Sequence, residues 1–452
     1  MTKKIIVNKF GGGILKKELL PIIIKRLKEE MNSGFSPIAV VSAMPGVTDK
    51  LVSILTTIDS DKISSKEATN LIVNFIKELK LNHAQIINDL GFTKNDIEKL
   101  NIELEILFTQ LEDDLLVIVA TEMNSYEDKI VSYGEKLSAT ILNSYFNING
   151  LKTRRVLAEE VPITTDNNFK NANIDYKISE KNVIDKISKI TEIPIVAGFT
   201  GITSKGHTTT LGRGGTDTTA CFIGAALKAS KVILWKDVGG VLSADPKIIK
   251  NAKTISVINY MEAEESGKII HNKAIQYIKL FNTPLEIASI INPKQKTKIE
   301  NNKKIQKGAK IISIKKDLNF ILITDETIKL NDLLMIVSDV FNKYKLDILL
   351  ISNTHYSLQL VVENNNGQLN SAFAELREKV SKIEMVNTNM VFLVGRFDAK
   401  DVSNFNDLLV KMGTDLLISA FYYEDCNRIE AVIKTDDINQ VVKVLHKKFI
   451  KK

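Results

Sequence analysis

The stretch TTTLGRGGTDTTA, residues 208–220, places an arginine and an aspartate four positions apart in a glycine-rich segment that leads into an apolar run. The spacing of the apolar residues after it predicts a buried helix face that begins near Thr216 or Asp217, which are favoured capping types. Free amides and the positive end of the helix dipole then face the loop. Arg213 suits a carboxylate or phosphate and Asp217 suits an ammonium group, as a zwitterionic amino acid requires. The alternative is a capped helix with an ion pair at its start.

Composition restricts the class of protein. The 452 residues predict two or three domains, and 44% hydrophobic with 25% charged residues is typical of a soluble globular chain. The net charge of +7 is spread along the chain, so nucleic acid is not an expected partner. Neither a membrane span nor a signal peptide is expected. Two cysteines and five scattered histidines give no disulfide framework and no metal site, which favours a reducing cytoplasm.

Short apolar strands alternate with helical patterns from residue 1 to about 300. This alternation predicts an α/β domain in which a mostly parallel sheet has helices on both faces, a three-layer αβα arrangement. Ligands of such sheets bind in loops beyond the carboxyl ends of the strands. The glycine-rich turns follow the predicted strands KKIIVNKF (3–10), SPIAVVSA (36–43), IPIVAGF (193–199) and KVILWKDVGGV (231–241).

A polar, lysine-rich stretch at 292–310 is the predicted linker. After it the tetrapeptide LLIS recurs at 349–352 and 416–419, each time behind a helical segment that contains NDLL. This indicates an internal repeat of a small α+β unit, with a role in ligand sensing or dimerisation. We therefore expect a catalytic domain over 1–300 and two repeats over 311–386 and 387–452.

Three other features carry possible chemistry. The glycines of KFGGGIL (9–15) let backbone amides approach an anion beside Lys9, or they form a plain turn. Asp237 and Asp245 in LWKDVGGVLSADPK suit a nucleotide or a metal, and turn formation explains them equally well. Glu135 lies in a helical pattern, where most glutamates face solvent.

Taken in order, VNKFGGG, VVSAMPGVT, YGEKLSATIL, GFTGITSKGHTTTLGRGGTDTTA, LWKDVGGVLSADP and GKIIHNKAI resemble the successive motifs of aspartate kinases. The resemblance spans residues 4 to about 290, and the repeat after 311 resembles the tandem ACT domains of that family. It implies an amino-acid-kinase fold and phosphorylation of the β-carboxylate of L-aspartate by MgATP. The product, 4-phospho-L-aspartate, starts the pathway to lysine, threonine and methionine.

The resemblance also implies site residues. The expected catalytic residues are Lys9, Arg213, Asp217 and Lys268. The expected aspartate-binding set is Ser42, Thr48, Glu135, Phe199, Arg213, Gly214, Gly215, Thr216 and Asp217, with Glu135 and Asp217 on the ammonium and Arg213 on a carboxylate. The expected ATP contacts are Lys9, Phe10, Gly11, Gly12, Lys236, Asp237, Leu242, Lys247, Lys268 and Ile269. ATP and Mg²⁺ are the implied cofactors. The resemblance also implies an amino-acid effector and assembly into a homodimer or higher homo-oligomer.

The chain departs from the family pattern at several positions. Gly13 and Ile14 replace the usual Thr-Ser, Lys236 stands in place of Thr, and the segment before Lys268 is shorter than usual. These changes leave open a catalytically weakened regulatory paralogue that binds amino acids. A kinase for another acidic substrate, such as N-acetylglutamate, is a further alternative, although its acetylated nitrogen offers Glu135 no positive charge. Whether the effector is lysine, threonine or none stays open.

Overall fold

The structure, a computed structural model, describes residues 4–58, 63–121, 126–161, 163–266, 270–301, 307–363, 367–423 and 427–450. The chain divides into two units. The first unit comprises Met1–Val241 and Thr254–Asn302, and the second comprises Leu242–Lys253 and Lys303–Lys452.

An eight-stranded sheet organises the first unit, in the order β11-β13-β12-β8-β1-β2-β5-β3. The run from β12 to β3 is parallel, whereas β13 is antiparallel to β12. A smaller sheet has the order β4-β6-β7, and β9 pairs with β10. The strands are β1 Lys4–Phe10, β2 Phe35–Val41, β3 Thr153–Val156, β4 Thr164–Thr165, β5 Ile193–Ala197, β6 Thr200–Thr203, β7 Thr208–Thr210, β8 Lys231–Lys236, β9 Val241–Leu242, β10 Thr254–Ile255, β11 Val257–Ile258, β12 Leu285–Ser289 and β13 Lys296–Ile299.

Helices cover both faces of this sheet. Ile6 and Phe10 of β1 belong to one hydrophobic core with residues of α1–α5, whereas Val7 points to the opposite face, against Gly224 of α7. The mostly parallel sheet between two helical layers confirms the predicted fold class. The helices are α1 Leu20–Asn32, α2 Val47–Ile58, α3 Ser65–Asp89, α4 Lys94–Thr121, α5 Glu127–Ile148, α6 Tyr176–Ile187, α7 Gly215–Ala226, α8 Tyr260–Glu265 and α9 Asn272–Leu280.

Part of the predicted linker at 292–310 is a strand of the central sheet. Lys296 of β13 donates to Glu286 of β12 at 3.1 Å, and Thr297 and Ile299 are fully buried. The polar composition was misleading because every second side chain faces inward, whereas the lysines between them face outward or pair with a neighbouring strand. This part of the linker prediction is wrong.

The second unit contains a six-stranded antiparallel sheet in the order β15-β16-β14-β17-β19-β18. Its strands are β14 Gly308–Thr324, β15 Ile348–Asn353, β16 Ser357–Glu363, β17 Lys382–Arg396, β18 Asp415–Tyr423 and β19 Arg428–Lys434. Its helices are α10 Leu330–Lys343, α11 Gln368–Arg377, α12 Ala399–Lys411 and α13 Ile438–Phe449. The two strand-helix-strand passes expected after residue 311 are both present.

The long strands β14 and β17 each serve two hydrophobic cores. Ile321 and Ile323 of β14 pack with α10 and α11, whereas Ile312 and Ile314 pack with α12 and α13. The expected boundaries at 311 and 387 fall inside these two strands. The core of the second repeat is therefore completed by the first half of β14, a segment upstream of the first repeat's core, which a reading of consecutive segments does not anticipate.

Candidate functional site

Two lysines and one aspartate meet where β1, β8 and α7 end or begin. Lys9 and Asp217 are both buried, and the Lys9 Nζ lies 2.7 Å from Asp217 Oδ1. The half-buried Lys236, the last residue of β8, has its Nζ 3.6 Å from Asp217 Oδ2. Burial alone would raise the pKa of Asp217, but the ammonium groups of Lys9 and Lys236 outweigh it and lower that pKa below its ordinary value. Asp217 is thus an anion that holds two cations together.

The start of α7 differs from the sequence prediction. The helix begins at Gly215, one or two residues before the predicted start, and its N-cap is Gly214 with φ 73° and no side-chain cap. A side chain at Gly214 would meet the Cβ of His271 at 2.8 Å, and one at Gly215 would meet the ring of Phe199 at 2.6 Å. Both glycines are therefore required by close packing and, at Gly214, by the left-handed backbone. The first amides of α7 stay free of side-chain caps.

The glycine turn after β1 is a short 3₁₀ helix over Gly12–Ile14. A Cβ at Gly11 would lie 2.9 Å from the Lys9 Nζ, and one at Gly12 would lie 2.9 Å from the backbone oxygen of Ala43. The turn therefore keeps its backbone close to a lysine ammonium, which suits a phosphate group. Of the two departures here, Gly13 faces open space, and Ile14 is buried in the main core.

Glu135 of α5 is a buried carboxyl group of a different kind. Its Oε1 accepts a hydrogen bond from the backbone N–H of Ala43 at 3.1 Å, and its buried Oε2 has no hydrogen-bond partner among the described residues. Burial raises the pKa of Glu135 to about 8, against the weaker opposing effects of the hydrogen bond from Ala43 and the charge of Lys9. The sequence expectation that most helical glutamates are solvated does not hold here.

A cavity of about 720 Å³ collects most of the predicted substrate-binding residues. Lys9, Ser42, Thr48, Phe199, Arg213, Gly214, Gly215, Thr216 and Asp217 all line it. The Ser42 hydroxyl donates to the Thr216 hydroxyl at 2.9 Å, which joins the loop after β2 to α7. Arg213 is exposed at the cavity and has no hydrogen bond or ion pair with another described residue. It is therefore able to bind an anion.

Other predicted residues are not part of the cavity lining. Four of those described above are among them: Gly11, Gly12, Glu135 and Lys236. Phe10 is a core side chain, and Asp237 is exposed just beyond β8. Leu242 and Lys247 belong to the 242–253 segment, which packs within the second unit. Lys268 and Ile269 lie outside the described residues.

The sequence reading missed an acidic wall of the cavity. Asp128 is buried, and its Oδ2 accepts from the backbone N–H of Lys170 at 2.8 Å and of Thr210 at 2.7 Å. Glu127 pairs with the Lys170 ammonium at 2.8 Å. Burial raises the pKa of Asp128 above its ordinary value, although both backbone hydrogen bonds oppose this. The adjacent acidic pair at the start of a helix was the available signal, but it also fits a plain helix terminus.

Within the described ranges, no three histidine, cysteine, aspartate or glutamate side chains form a group able to hold a metal ion. A Mg²⁺ that arrives with phosphate oxygens and keeps several waters needs no such protein cage. The donor set here, two lysines and glycine amides, fits the phosphate part of such a complex. None of the helices in the described part of the chain is long and apolar enough to cross a membrane.

Comparison with known proteins bears on this site. The sequence model of the amino acid kinase family matches residues 4–289. This chain belongs to the amino acid kinase family. It is 28% identical to the aspartokinase of Rickettsia prowazekii over 64% of this chain and 53% of the relative, so it spans about half of that protein. It is 28% identical to the aspartokinase of Rickettsia felis over 72% of this chain and 68% of that relative. It is 26% identical to aspartokinase 3, chloroplastic, of Arabidopsis thaliana over 98% of this chain and 81% of that relative.

Solved structures agree on the fold. Aspartokinase III of E. coli in complex with lysine and aspartate superposes with a TM-score of 0.81 at 21% identity, over 99% of this chain and 100% of that chain. Aspartate kinase of Clostridium acetobutylicum gives a TM-score of 0.74 at 21% identity, again over 99% and 100%. The resemblance to aspartate kinases that the motifs indicated is confirmed by these relatives together.

Proposed function

We propose that the protein transfers the γ-phosphoryl group of ATP to the β-carboxylate of L-aspartate and releases 4-phospho-L-aspartate and ADP. The single observation that carries the proposal is the cavity that Lys9, Arg213 and Asp217 line together at the uncapped start of α7, with Lys236 paired to Asp217. The names of the curated relatives, which are aspartokinases, point to the same reaction.

L-Aspartate carries two carboxylates and one ammonium group, and the site offers partners for one carboxylate and for the ammonium group. The unpaired guanidinium of Arg213 suits a carboxylate, which it binds through two parallel hydrogen bonds. The unpartnered Oε2 of Glu135 suits the ammonium group, which would draw its proton off because an adjacent cation lowers a carboxyl pKa. Asp217 is already in contact with two lysines, so we assign it to their placement and Glu135 to the substrate nitrogen.

The reaction itself needs little acid–base chemistry. The β-carboxylate is ionised at neutral pH, so its oxygen attacks the γ-phosphorus while the bond from that phosphorus to the bridging oxygen of ADP breaks. Lys9 and Lys236 would neutralise negative charge on the transferring group, and the amides after Gly11 would donate to its oxygens. A bound Mg²⁺ supplies further charge neutralisation on the phosphates. Preorganised cations and alignment are therefore the main work of this chain.

The second unit suits a regulatory role. Its two strand-helix-strand passes match the predicted ACT-like repeats, and we propose that they bind an amino-acid effector and support self-association. Titration of lysine and of threonine into the activity assay tests the first part, and sedimentation equilibrium tests the second. A rate that is independent of both amino acids would remove these two as effectors.

Hydroxylamine trapping tests the proposed reaction. Purified protein with MgATP and L-aspartate is expected to form aspartyl hydroxamate, and glutamate and N-acetylglutamate serve as matched substrates. Hydroxamate from N-acetylglutamate but not from aspartate would move the assignment to a kinase for acetylated substrates. No acyl phosphate despite calorimetric binding of aspartate would favour a regulatory paralogue.

A further inference from the structure

A chain of two side-chain hydrogen bonds, one buried and one partly buried, lies on the face of the sheet opposite the lysine cluster. The indole N–H of Trp235 donates to the Asn8 amide oxygen at 2.8 Å, and the Asn8 amide nitrogen donates to Glu30 Oε2 at 2.7 Å. Asn8 has no exposed surface, and Trp235 is 4% exposed. The chain therefore links β8 to β1 and β1 to α1 inside the first unit.

The link sits one residue before each lysine of the site. Asn8 precedes Lys9 on β1, and Trp235 precedes Lys236 on β8. Because side chains alternate along a strand, Asn8 and Trp235 share the face covered by α1, and both lysines point to the face covered by α7. The parallel register brings Phe10 opposite Trp235, so the Asn8–Trp235 bond runs diagonally between the two strands.

A diagonal bond restrains a motion that the backbone ladder tolerates. The ladder fixes register to a whole residue, but small shear and twist between β1 and β8 change the spacing of side chains on both faces. Asp217 touches Lys9 at 2.7 Å and Lys236 at 3.6 Å, so both contacts depend on that spacing. Misplacement by about 1 Å can cost on the order of 100-fold in rate.

We propose that Asn8 is a positioning residue for phosphoryl transfer: through Trp235 it fixes β1 against β8, and with them the placement of Lys9 and Lys236 around Asp217. The proposal rests on the proposed function for its kinetic consequence and on geometry alone for its structural one. Asn suits this position because one amide both accepts from an indole and donates to a carboxylate. An aliphatic side chain of similar size would fill the space and make neither bond.

The kinetic test compares variants that remove one or both bonds. Trp235→Phe keeps an aromatic ring and loses the N–H donor, and Asn8→Leu loses both bonds. We expect kcat to fall about tenfold in each, with the KM for aspartate within about twofold of wild type. In the double variant the second change should have little further effect, because both remove the same link. Glu30→Gln keeps an acceptor for Asn8 and is the conservative control, expected to stay near the wild-type kcat.

A structural readout separates this proposal from the proposed function. In a crystal structure of Trp235→Phe, the Lys236–Asp217 contact should open by about 1 Å while Lys9–Asp217 persists. Superposable positions of the three side chains would overturn the proposal, whether or not the protein phosphorylates aspartate. So would a lowered melting temperature with an unchanged kcat, which is the result of a purely structural bond. Should Asn8→Leu fail to fold, Trp235→Phe alone decides the question.

Discussion

Asp217 and Glu135 are two buried carboxyl groups of the same unit, and their surroundings shift their pKa values in opposite directions. Asp217 is 7% exposed and Glu135 is 4% exposed, so burial is nearly equal. Asp217 contacts two ammonium groups, and its pKa is lowered. Glu135 accepts one backbone hydrogen bond, has one unpartnered oxygen, and its pKa is raised to about 8.

The difference shows what decides the charge of a buried acid. Desolvation disfavours both anions, and only contact with a cation overcomes it. Asp217 receives its cations from the protein, which makes it part of the permanent framework of the site. Glu135 forms no ion pair with a described residue, so an incoming ammonium group would supply the cation that its carboxylate lacks. On this contrast we propose that Asp217 serves to hold the lysines and that Glu135 binds the substrate nitrogen.

The largest expected effect comes from Lys9→Met, which removes the nearer cation of Asp217. We expect kcat to fall by about 10²- to 10³-fold, since the charge of Lys9 is needed most in the transition state. The KM for aspartate should change far less, which steady-state kinetics would measure. Lys236→Met is the matched control and should cost less, because its contact with Asp217 is longer. Equal losses would show that the two lysines do not differ in role.

Arg213→Ala tests the carboxylate end of the proposed substrate site. Loss of a charged hydrogen-bond partner costs about 1.5–3 kcal/mol, so the KM for aspartate should rise about 10- to 150-fold. The exposed Lys205→Ala is a charge-matched control and should leave KM unchanged. A near-wild-type KM in Arg213→Ala would remove the arginine from substrate binding.

The pH dependence of aspartate binding tests Glu135. Only the ionised form holds an ammonium group, and its share grows as pH rises toward the pKa of about 8. The KM for aspartate should therefore decrease from pH 6.5 to 8.5, by up to roughly 25-fold if the ionised fraction alone controls it. Glu135→Gln should show a higher KM with a flat profile. A steep profile in that variant would place the titrating group elsewhere.

Protein stability offers a further test of the raised pKa of Glu135. The folded pKa of Glu135, about 8, exceeds its ordinary value of 4.5. Between these values the folded protein keeps a proton that the unfolded chain has lost, so the contribution of Glu135 to stability declines as pH rises through that window. Glu135→Gln has no group that titrates at this position. Its free energy of unfolding should therefore rise relative to that of wild type by at most about 1.4 kcal/mol for each pH unit in the window. Thermal melting at pH 5, 6.5 and 8 measures the gain. A difference that is independent of pH would contradict the raised pKa.

Sequence reasoning reached much of the fold because local patterns carried it. Periodicity and recurrence predict the strand that carries Lys9, the helices between residues 51 and 115, and the repeated LLIS strands. The pairing of strands that are distant in sequence does not follow from local patterns. The alternating lysines of β13 looked like a linker, and the strand that completes the second repeat lies upstream of the first one.

The site shows the same division. Part of the cavity lining was predicted from motif resemblance, including Arg213, Ser42 and Thr216, but the acidic wall of Glu127 and Asp128 was not. Charge states were not predictable, because they depend on contacts between distant segments. Asp217 contacts Lys9 of β1 and Lys236 of β8. The sequence alone did not show that these two lysines, and not the substrate, are the partners of this carboxylate.

Calorimetry of aspartate binding in buffers of different ionisation enthalpy tests the contrast between the two carboxyl groups most directly. At pH 7 Glu135, with a pKa of about 8, is mostly protonated. Binding of the aspartate ammonium group should then release about 0.9 proton into the buffer, and Glu135→Gln should release none. The measured enthalpy would vary with the buffer in the first case only. Buffer-independent binding by the wild-type protein would contradict the account, since Glu135 would then already be ionised or would not meet the substrate.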